Sequence, residues 1–301
     1  MPSPVPEPRR RAAPLLLALL LLAPGAALAQ EAPLTWDYPT FRTEEAVATV
    51  AFGVGTFVAE VVQPTATEAR WKGGVLFDDA IGIRLRARTL EGHERALYWS
   101  DTLWRISLAY PLVVDIWVLA LGVHRSPEVA AQMLLIDLQS FAFTGSLTLV
   151  AQLLTRRDRP YVARCGEEGT FSPCGTKRDH TSFPSGHTAV AMTSAMLTCS
   201  HHRRLDLLDS QVASGLLCGA AVAAAVGTGV LRIVGDRHYA TDVLGGLAVG
   251  VLSGYVLPAW LHYGFSLQAP SRPGRPRVRW TAVPQPMGEG GVGLGLVGVL
   301  P

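Results

Sequence analysis

Three polar clusters in the second half of the chain carry residue types suited to phosphate chemistry: Arg156-Arg157-Asp158-Arg159-Pro160, Pro184-Ser185-Gly186-His187, and Arg232 through His238 to Asp242. Arg159 and Arg232 offer planar guanidinium forks that match phosphate oxygens and stay charged at any working pH. Ser185 stands just before a helix that starts near His187, so it can cap that helix while the free N–H groups there and at Gly186 point at the same anion. Glycine at 186 lets the backbone approach the ligand closely. His238 and Asp242 are four apart, which at a helix start puts them on one face, so the carboxylate can take the proton-bearing ring nitrogen and turn the other outward. This predicts His238 as a nucleophile that forms a phosphohistidine on a phosphorus held by the arginines. His187 is then expected to protonate the leaving oxygen and later activate water.

Each cluster alone has an ordinary reading. Arg-x-Arg-Pro suits a basic flank at a membrane edge, Pro-Ser-Gly-His a plain helix start, and His-x-x-x-Asp a surface pair. Their order, and their common position at the ends of apolar blocks, point instead to one oxyanion site.

The blocks that must position them lie at about 46–62, 104–121, 129–154, 186–200, 211–231 and 239–262, which predicts an all-α membrane helix bundle of about five to six helices. Composition agrees: of 301 residues 49% are hydrophobic and 17% charged, and the mean hydropathy is +0.27. Lys plus Arg exceed Asp plus Glu by 26 − 24 = 2, a balance that gives no support to a nucleic-acid binder. The runs 211–231 and 243–261 are the firmest spans, whereas 46–62 is short and carries Glu60, so surface, re-entrant and crossing placements all stay open. If 186–200 and 211–231 both cross, the three clusters share one membrane face.

Asp115 and Asp137 interrupt apolar segments and are expected to face the bundle interior with partners. Gly246 and Gly250 have the spacing that permits close helix packing. The four cysteines lack the paired spacing of a zinc site, so no metal is implied. Cys165 and Cys174 bracket a polar stretch that a disulfide could close in an oxidising compartment, and Cys199 and Cys218 read as small buried hydrophobes. Residues 1–29 have the basic, apolar and small-residue regions of an export signal. The body is expected over 30–265, with its motifs within 152–242, followed by a Pro-, Gly- and Arg-rich tail over 266–301.

The three clusters resemble the signature motifs of the type-2 phosphatidic acid phosphatase superfamily, which includes lipid phosphate phosphatases, bacterial acid phosphatases and vanadium haloperoxidases. That pattern is K-x6-R-P, P-S-G-H and S-R-x5-H-x3-D, and the similarity covers roughly residues 129–262. Arg159-Pro160, Pro184 to His187, and Arg232 with His238 and Asp242 match. Gln152 stands where the family has lysine, and Leu231 where it has the serine before the arginine. The resemblance implies a metal-independent phosphatase without cofactor, working through His238 with His187 as acid and base. Arg156 or Arg157 is expected to replace the missing lysine, so the expected phosphate-binding set is Arg159, Arg232, Ser185, Gly186, Arg156, Arg157 and Gln152.

The leading expectation is a hydrolase of lipid phosphate or diphosphate monoesters, of the polyprenyl diphosphate or phosphatidic acid type, since a bundle with its site at one face lets the lipid chain stay in the bilayer. A periplasmic acid phosphatase on soluble substrates, a haloperoxidase and a non-catalytic lipid-phosphate binder are the alternatives. The expected location is a cell membrane of the bacterial inner-membrane type, crossed several times, with the site on the outer face. The cationic stretch Arg70, Lys72, Arg84, Arg86, Arg88 and Arg95 argues for the inner face instead. Oligomeric state is left open.

Overall fold

The computed structural model describes residues 33–62, 68–167, 172, 174–265, 279–287 and 291–299. Residues 1–29, expected to be an export signal, lie outside these residues. Six long helices and one short one make the body: α1 Thr43–Val62, α2 Asp78–Leu85, α3 Leu90–Val123, α4 Pro127–Thr155, α5 Gly186–Arg204, α6 Gln211–Val234 and α7 Ala240–Tyr263. All of them except α2 and α5 are long and apolar enough to cross a membrane. The block at 46–62 is therefore one unbroken helix of spanning length.

Helix starts follow from local chemistry. Thr89 accepts a hydrogen bond from the Gly92 amide before α3, Ser210 accepts one from Ala213 before α6, and Pro127 opens α4 where its missing N–H costs nothing. Helix α3 begins well before the apolar block foreseen at 104–121, and from Pro111 its last 13 residues are wound more widely as π-helix. Proline cannot donate to the preceding turn, which accounts for the change of winding at that point.

Helix α5 sits at the centre, packed against α3, α4, α6 and α7. It is rich in Ser, Thr and His, yet most of it is buried, because neighbouring helices satisfy its polar groups. Thr193 pairs with Thr144 of α4 at 2.8 Å. His201 bonds Asp137 at 2.8 Å and the Tyr263 hydroxyl at 2.8 Å, and His202 bonds Asp115 at 3.0 Å. The two aspartates thus face the interior with partners, as the cost of a lipid-facing carboxylate requires. Along α7 the glycines matter for approach: a Cβ at Gly250 would stand 2.5 Å from Met192 Cβ, and one at Gly246 2.6 Å from the Ser185 carbonyl oxygen.

Cys165 and Cys174 form a disulfide in the loop after α4. Cys199 and Cys218 also form one, joining α5 to α6, which corrects their reading as plain buried hydrophobes: the two helices run side by side and bring the thiols together. Beyond the bundle, β1 Arg279–Met287 and β2 Gly291–Val299 pair antiparallel with Arg279 opposite Val299. The alternation of Gly with Val and Leu after residue 290 has the period of a strand.

Helices α4 and α6 end where α5 and α7 begin, so the three clusters meet at one end of the bundle. The segment before α1 packs at the other end, where the Leu34 amide donates to Ser126 and the Tyr38 hydroxyl to the Arg204 carbonyl oxygen. Three helices of spanning length, α1, α3 and α4, separate these two ends.

Candidate active site

A cavity of about 550 Å³ opens at the cluster end, lined by Arg159, Arg178, Arg232, Arg237, His187, His238, Gly186 and Gln152 among others. Its polar end is therefore strongly cationic.

His238 follows α6 in the turn before α7 and is almost fully buried. Its Nδ1 lies 2.8 Å from the Ser182 carbonyl oxygen. A carbonyl only accepts, so Nδ1 carries the proton and Nε2 is the basic nitrogen of the ring. Burial first, and then the Arg159 charge, push the imidazole down to about 3, so it is neutral at ordinary pH. Asp242 stands 3.8 Å from the same Nδ1, too far for a hydrogen bond. The expectation that Asp242 orients the ring directly is thus not what the structure shows. Asp242 Oδ2 instead accepts from the Ser182 hydroxyl at 2.6 Å and the Tyr239 amide at 2.8 Å, and Oδ1 accepts from Arg157 at 2.6 Å.

Arg157 is fully buried and does not line the cavity. Its guanidinium bridges Asp242 and Asp78, the latter at 2.7 Å, and lies between the Trp71 and Tyr239 rings at 4.0 and 4.2 Å. Arg156 is the left-handed residue that ends α4, with φ 42°, and does not line the cavity either. Neither expected phosphate ligand thus lines the cavity, and the guanidinium of Arg157 is spent on buried carboxylates. Gln152 does line the cavity, and its amide donates to the Pro184 carbonyl oxygen at 3.0 Å.

Arg159 is held by its backbone amide on the Asp179 carbonyl oxygen at 2.8 Å and by Nε on the Arg178 carbonyl oxygen at 2.8 Å. Burial above all, with Arg237, Arg232 and Arg178 nearby, brings its guanidinium down to about 10, still charged at neutral pH. Such crowding of buried cations is relieved by an anion. Arg232 bonds Asp101 of α3 at 2.7 Å, and the same Asp101 oxygen lies 3.5 Å from His187 Nε2. His187 begins α5 with its ring 5.0 Å from that of Trp104. Gly186 lines the cavity, but the Ser185 side chain makes no capping bond and accepts from Thr188 instead at 2.9 Å.

Sequence reasoning missed Asp78, Asp101, Ser182, Arg178 and Arg237. Asp101 had a signal, a carboxylate a few residues before an apolar block. Arg178 and Asp78 had none, since Arg178 lies in a polar loop and Asp78 opens the short helix α2 outside the apolar blocks. Among the described residues no three His, Cys, Asp or Glu side chains are grouped as a metal would need. Four arginines and two histidines face the cavity, donors suited to an oxyanion, beside one carboxylate, Glu60.

Residues 134–266 match the family model described as PAP2 superfamily. A stretch of 149 residues is 31% identical to the lipid A 1-phosphatase of Porphyromonas gingivalis, over 50% of this chain and 28% of that protein, so the chain spans little more than a quarter of the length of this curated relative. Among solved structures, the crystal structure of the transmembrane PAP2-type phosphatidylglycerolphosphate phosphatase from Bacillus subtilis is similar with a TM-score of 0.46 and 22% identity, covering 70% of this chain and 94% of that one. All three motif clusters lie inside residues 134–266, the stretch that is similar to the PAP2 superfamily, and are gathered at one end of the bundle.

Proposed function

We propose that the chain is a membrane phosphatase that hydrolyses phosphate or diphosphate monoesters of lipids through a phosphohistidine on His238. The observation that carries this reading is the neutral His238, with Nδ1–H given to a carbonyl, in a cavity lined by four arginines. Arg159 and Arg232 hold the phosphate oxygens. His238 Nε2 attacks phosphorus, the P–N bond forms as the bond to the lipid oxygen breaks, and His187 gives that oxygen a proton. In the second half His187 takes a proton from water, the water oxygen attacks phosphorus, and the P–N bond breaks to release phosphate. Asp242 acts at one remove, holding Ser182 whose carbonyl sets the ring of His238.

A lipid substrate fits the shape of the cavity. It runs along α4 from Gln152 to Gly145, about two turns, with Thr56 of α1 and Val190 of α5 beside it. That depth lies within the apolar part of the bundle, where a hydrocarbon chain can remain. The Porphyromonas gingivalis relative, a lipid A 1-phosphatase, supports the same substrate class.

The outer membrane face is proposed for the site, on the strength of the Cys165–Cys174 disulfide in the loop beside it, a bond of oxidising compartments. Three spans before Arg159 then start residue 33 on the inner face, which is incompatible with removal of 1–29 as an export signal. A second reading, favoured by Arg70, Lys72, Arg84, Arg86 and Arg88 near the site end, keeps that signal and turns the site inward. Thiol-labelling of single cysteines placed at Glu167 and Asp209 in intact cells separates the two: labelling at 167 alone supports the outer face, at 209 alone the inner.

The test of the function is release of phosphate by the purified protein from a polyprenyl diphosphate, a phosphatidic acid and 4-nitrophenyl phosphate. Hydrolysis of the nitrophenyl ester without either lipid would favour a soluble-substrate phosphatase. No release from any of the three would leave a lipid-phosphate binder.

A further inference from the structure

The departure at Gln152 removes a cation from the first motif, and the structure shows where a replacement stands. Gln152 spends its amide on Pro184, and neither Arg156 nor Arg157 lines the cavity. Arg178, which belongs to none of the three motifs, does line it. We propose that Arg178 supplies the phosphate-binding cation that the family pattern carries at position 152, and that Glu60 of α1 holds its guanidinium until the substrate phosphate takes Glu60's place. This assignment rests on the phosphatase reading of the site.

The backbone of Arg178 is fixed beside the first motif. Its carbonyl oxygen accepts from Arg159 Nε at 2.8 Å and from the Thr181 hydroxyl at 3.0 Å. The next residue, Asp179, accepts the Arg159 amide on its carbonyl oxygen, and its carboxylate accepts the Tyr161 hydroxyl at 2.9 Å and the Gly175 amide at 2.8 Å. Arg159 is thus tied to the Arg178–Asp179 backbone by one side-chain and one main-chain bond, across nineteen positions from Arg159 to Arg178.

The side chain is free to change partner. Its ion pair with Glu60 is 3.5 Å long, and the two side chains are 62% and 33% exposed. Pairs of this kind contribute little, so exchanging one for a phosphate costs little. Among the described residues lining the cavity, Glu60 is the one carboxylate. It is also the one charged residue of α1 after Glu45, in a helix otherwise suited to lipid. A carboxylate there needs a partner, and it faces the position where it would oppose an incoming anion. A phosphate dianion attracts Arg178 and repels Glu60, so both effects drive the same exchange. Arg237 also lines the cavity, but its guanidinium lies over the Tyr161 ring at 5.4 Å and has no such acidic placeholder among its described contacts.

The experiment is calorimetric binding of inorganic phosphate to the full-length chain in detergent, beside phosphate release from a lipid phosphate. Arg178→Ala should weaken phosphate binding about tenfold to a hundredfold, the loss expected for one charge-assisted contact. Arg178→Lys should keep most of the affinity, and adding Gln152→Lys to Arg178→Ala should restore it. Glu60→Gln, which removes no anchor of the fold, should tighten phosphate binding severalfold. Unchanged binding in Arg178→Ala, failure of Gln152→Lys to restore it, or weaker binding in Glu60→Gln would each overturn the assignment. A wild type that binds phosphate through Arg178 but releases none from any lipid phosphate loses the phosphatase reading alone. A wild type that turns over normally while Arg178→Ala equals it in KM and phosphate affinity loses this assignment alone.

Discussion

His238 Nδ1 points at the carbonyl oxygen of Ser182, 2.8 Å away, and stands 3.8 Å from the Asp242 carboxylate. The ring proposed as the nucleophile is therefore oriented by main chain, and Asp242 reaches it through the Ser182 hydroxyl at 2.6 Å. Removing that hydroxyl loosens the peptide without touching the reacting atoms. Ser182→Ala is expected to lower kcat about tenfold with KM nearly unchanged, the scale of an outer partner that positions a ring. Steady-state kinetics on one lipid phosphate checks this, and a silent Ser182→Ala would mean that the carbonyl is held without Asp242.

This relation marks how far the sequence could be read. The three clusters and their shared end of the bundle were legible, because apolar blocks of helical length fix which motif falls at which end. His238 and Asp242 at a spacing of four were rightly placed close together, yet spacing cannot say which acceptor a ring nitrogen meets. Ser182 enters from a loop 56 residues upstream of His238, and no local pattern announces it. The central helix α5 was legible in position but understated in length and burial, since its Ser, Thr and His residues lower its hydropathy while pairing with neighbours. Arg157 illustrates the converse. As one of several clustered arginines it looked like a phosphate ligand, and its two carboxylate partners, Asp78 and Asp242, come from segments far apart in the chain.

His238→Ala is expected to abolish turnover, because water cannot take over the two-step route that a covalent intermediate opens. Quenching the wild type in alkaline detergent, where a P–N bond survives, during turnover of a lipid labelled in its phosphate should leave label on the protein, and the variant should carry none. Turnover in the variant near the wild-type rate would end the nucleophile assignment. Vanadate, which mimics five-coordinate phosphorus, should inhibit the wild type competitively through the same arginines.

The pH dependence follows from the burial of His238. A nucleophilic imidazole must be neutral, and with its pKa brought down to about 3 it is neutral in the free protein throughout the range above about pH 4. The profile of kcat/KM reports groups of the free enzyme and free substrate. Its acidic limb should therefore follow the substrate's phosphate, whose second pKa is about 6, and should move when a substrate of different phosphate pKa is used. An acidic limb that stays fixed near pH 6.5 across such substrates would show that His238 titrates at its ordinary value.

Arg157 sets the last expectation. Its guanidinium is fully buried and joins Asp78 to Asp242, while Thr241 accepts from it at 2.7 Å and the Gly73 carbonyl oxygen at 3.1 Å. Two ring faces, Trp71 and Tyr239, close the remaining sides. Replacing it with methionine keeps much of the volume but leaves two carboxylates buried without their counter-charge. Breaking such a pair by removing one partner costs about 3–5 kcal/mol. Thermal unfolding of Arg157→Met in detergent should show a markedly lower Tm than the wild type. Adding Asp78→Asn removes one of the stranded charges, so the double variant should regain part of the loss, a coupling expected of residues in one network. Activity should fall together with stability in Arg157→Met, since Asp242 would lose the contact that fixes it beside Ser182. If Arg157→Met unfolds like the wild type and keeps its kcat, the arginine is not what holds this side of the site together.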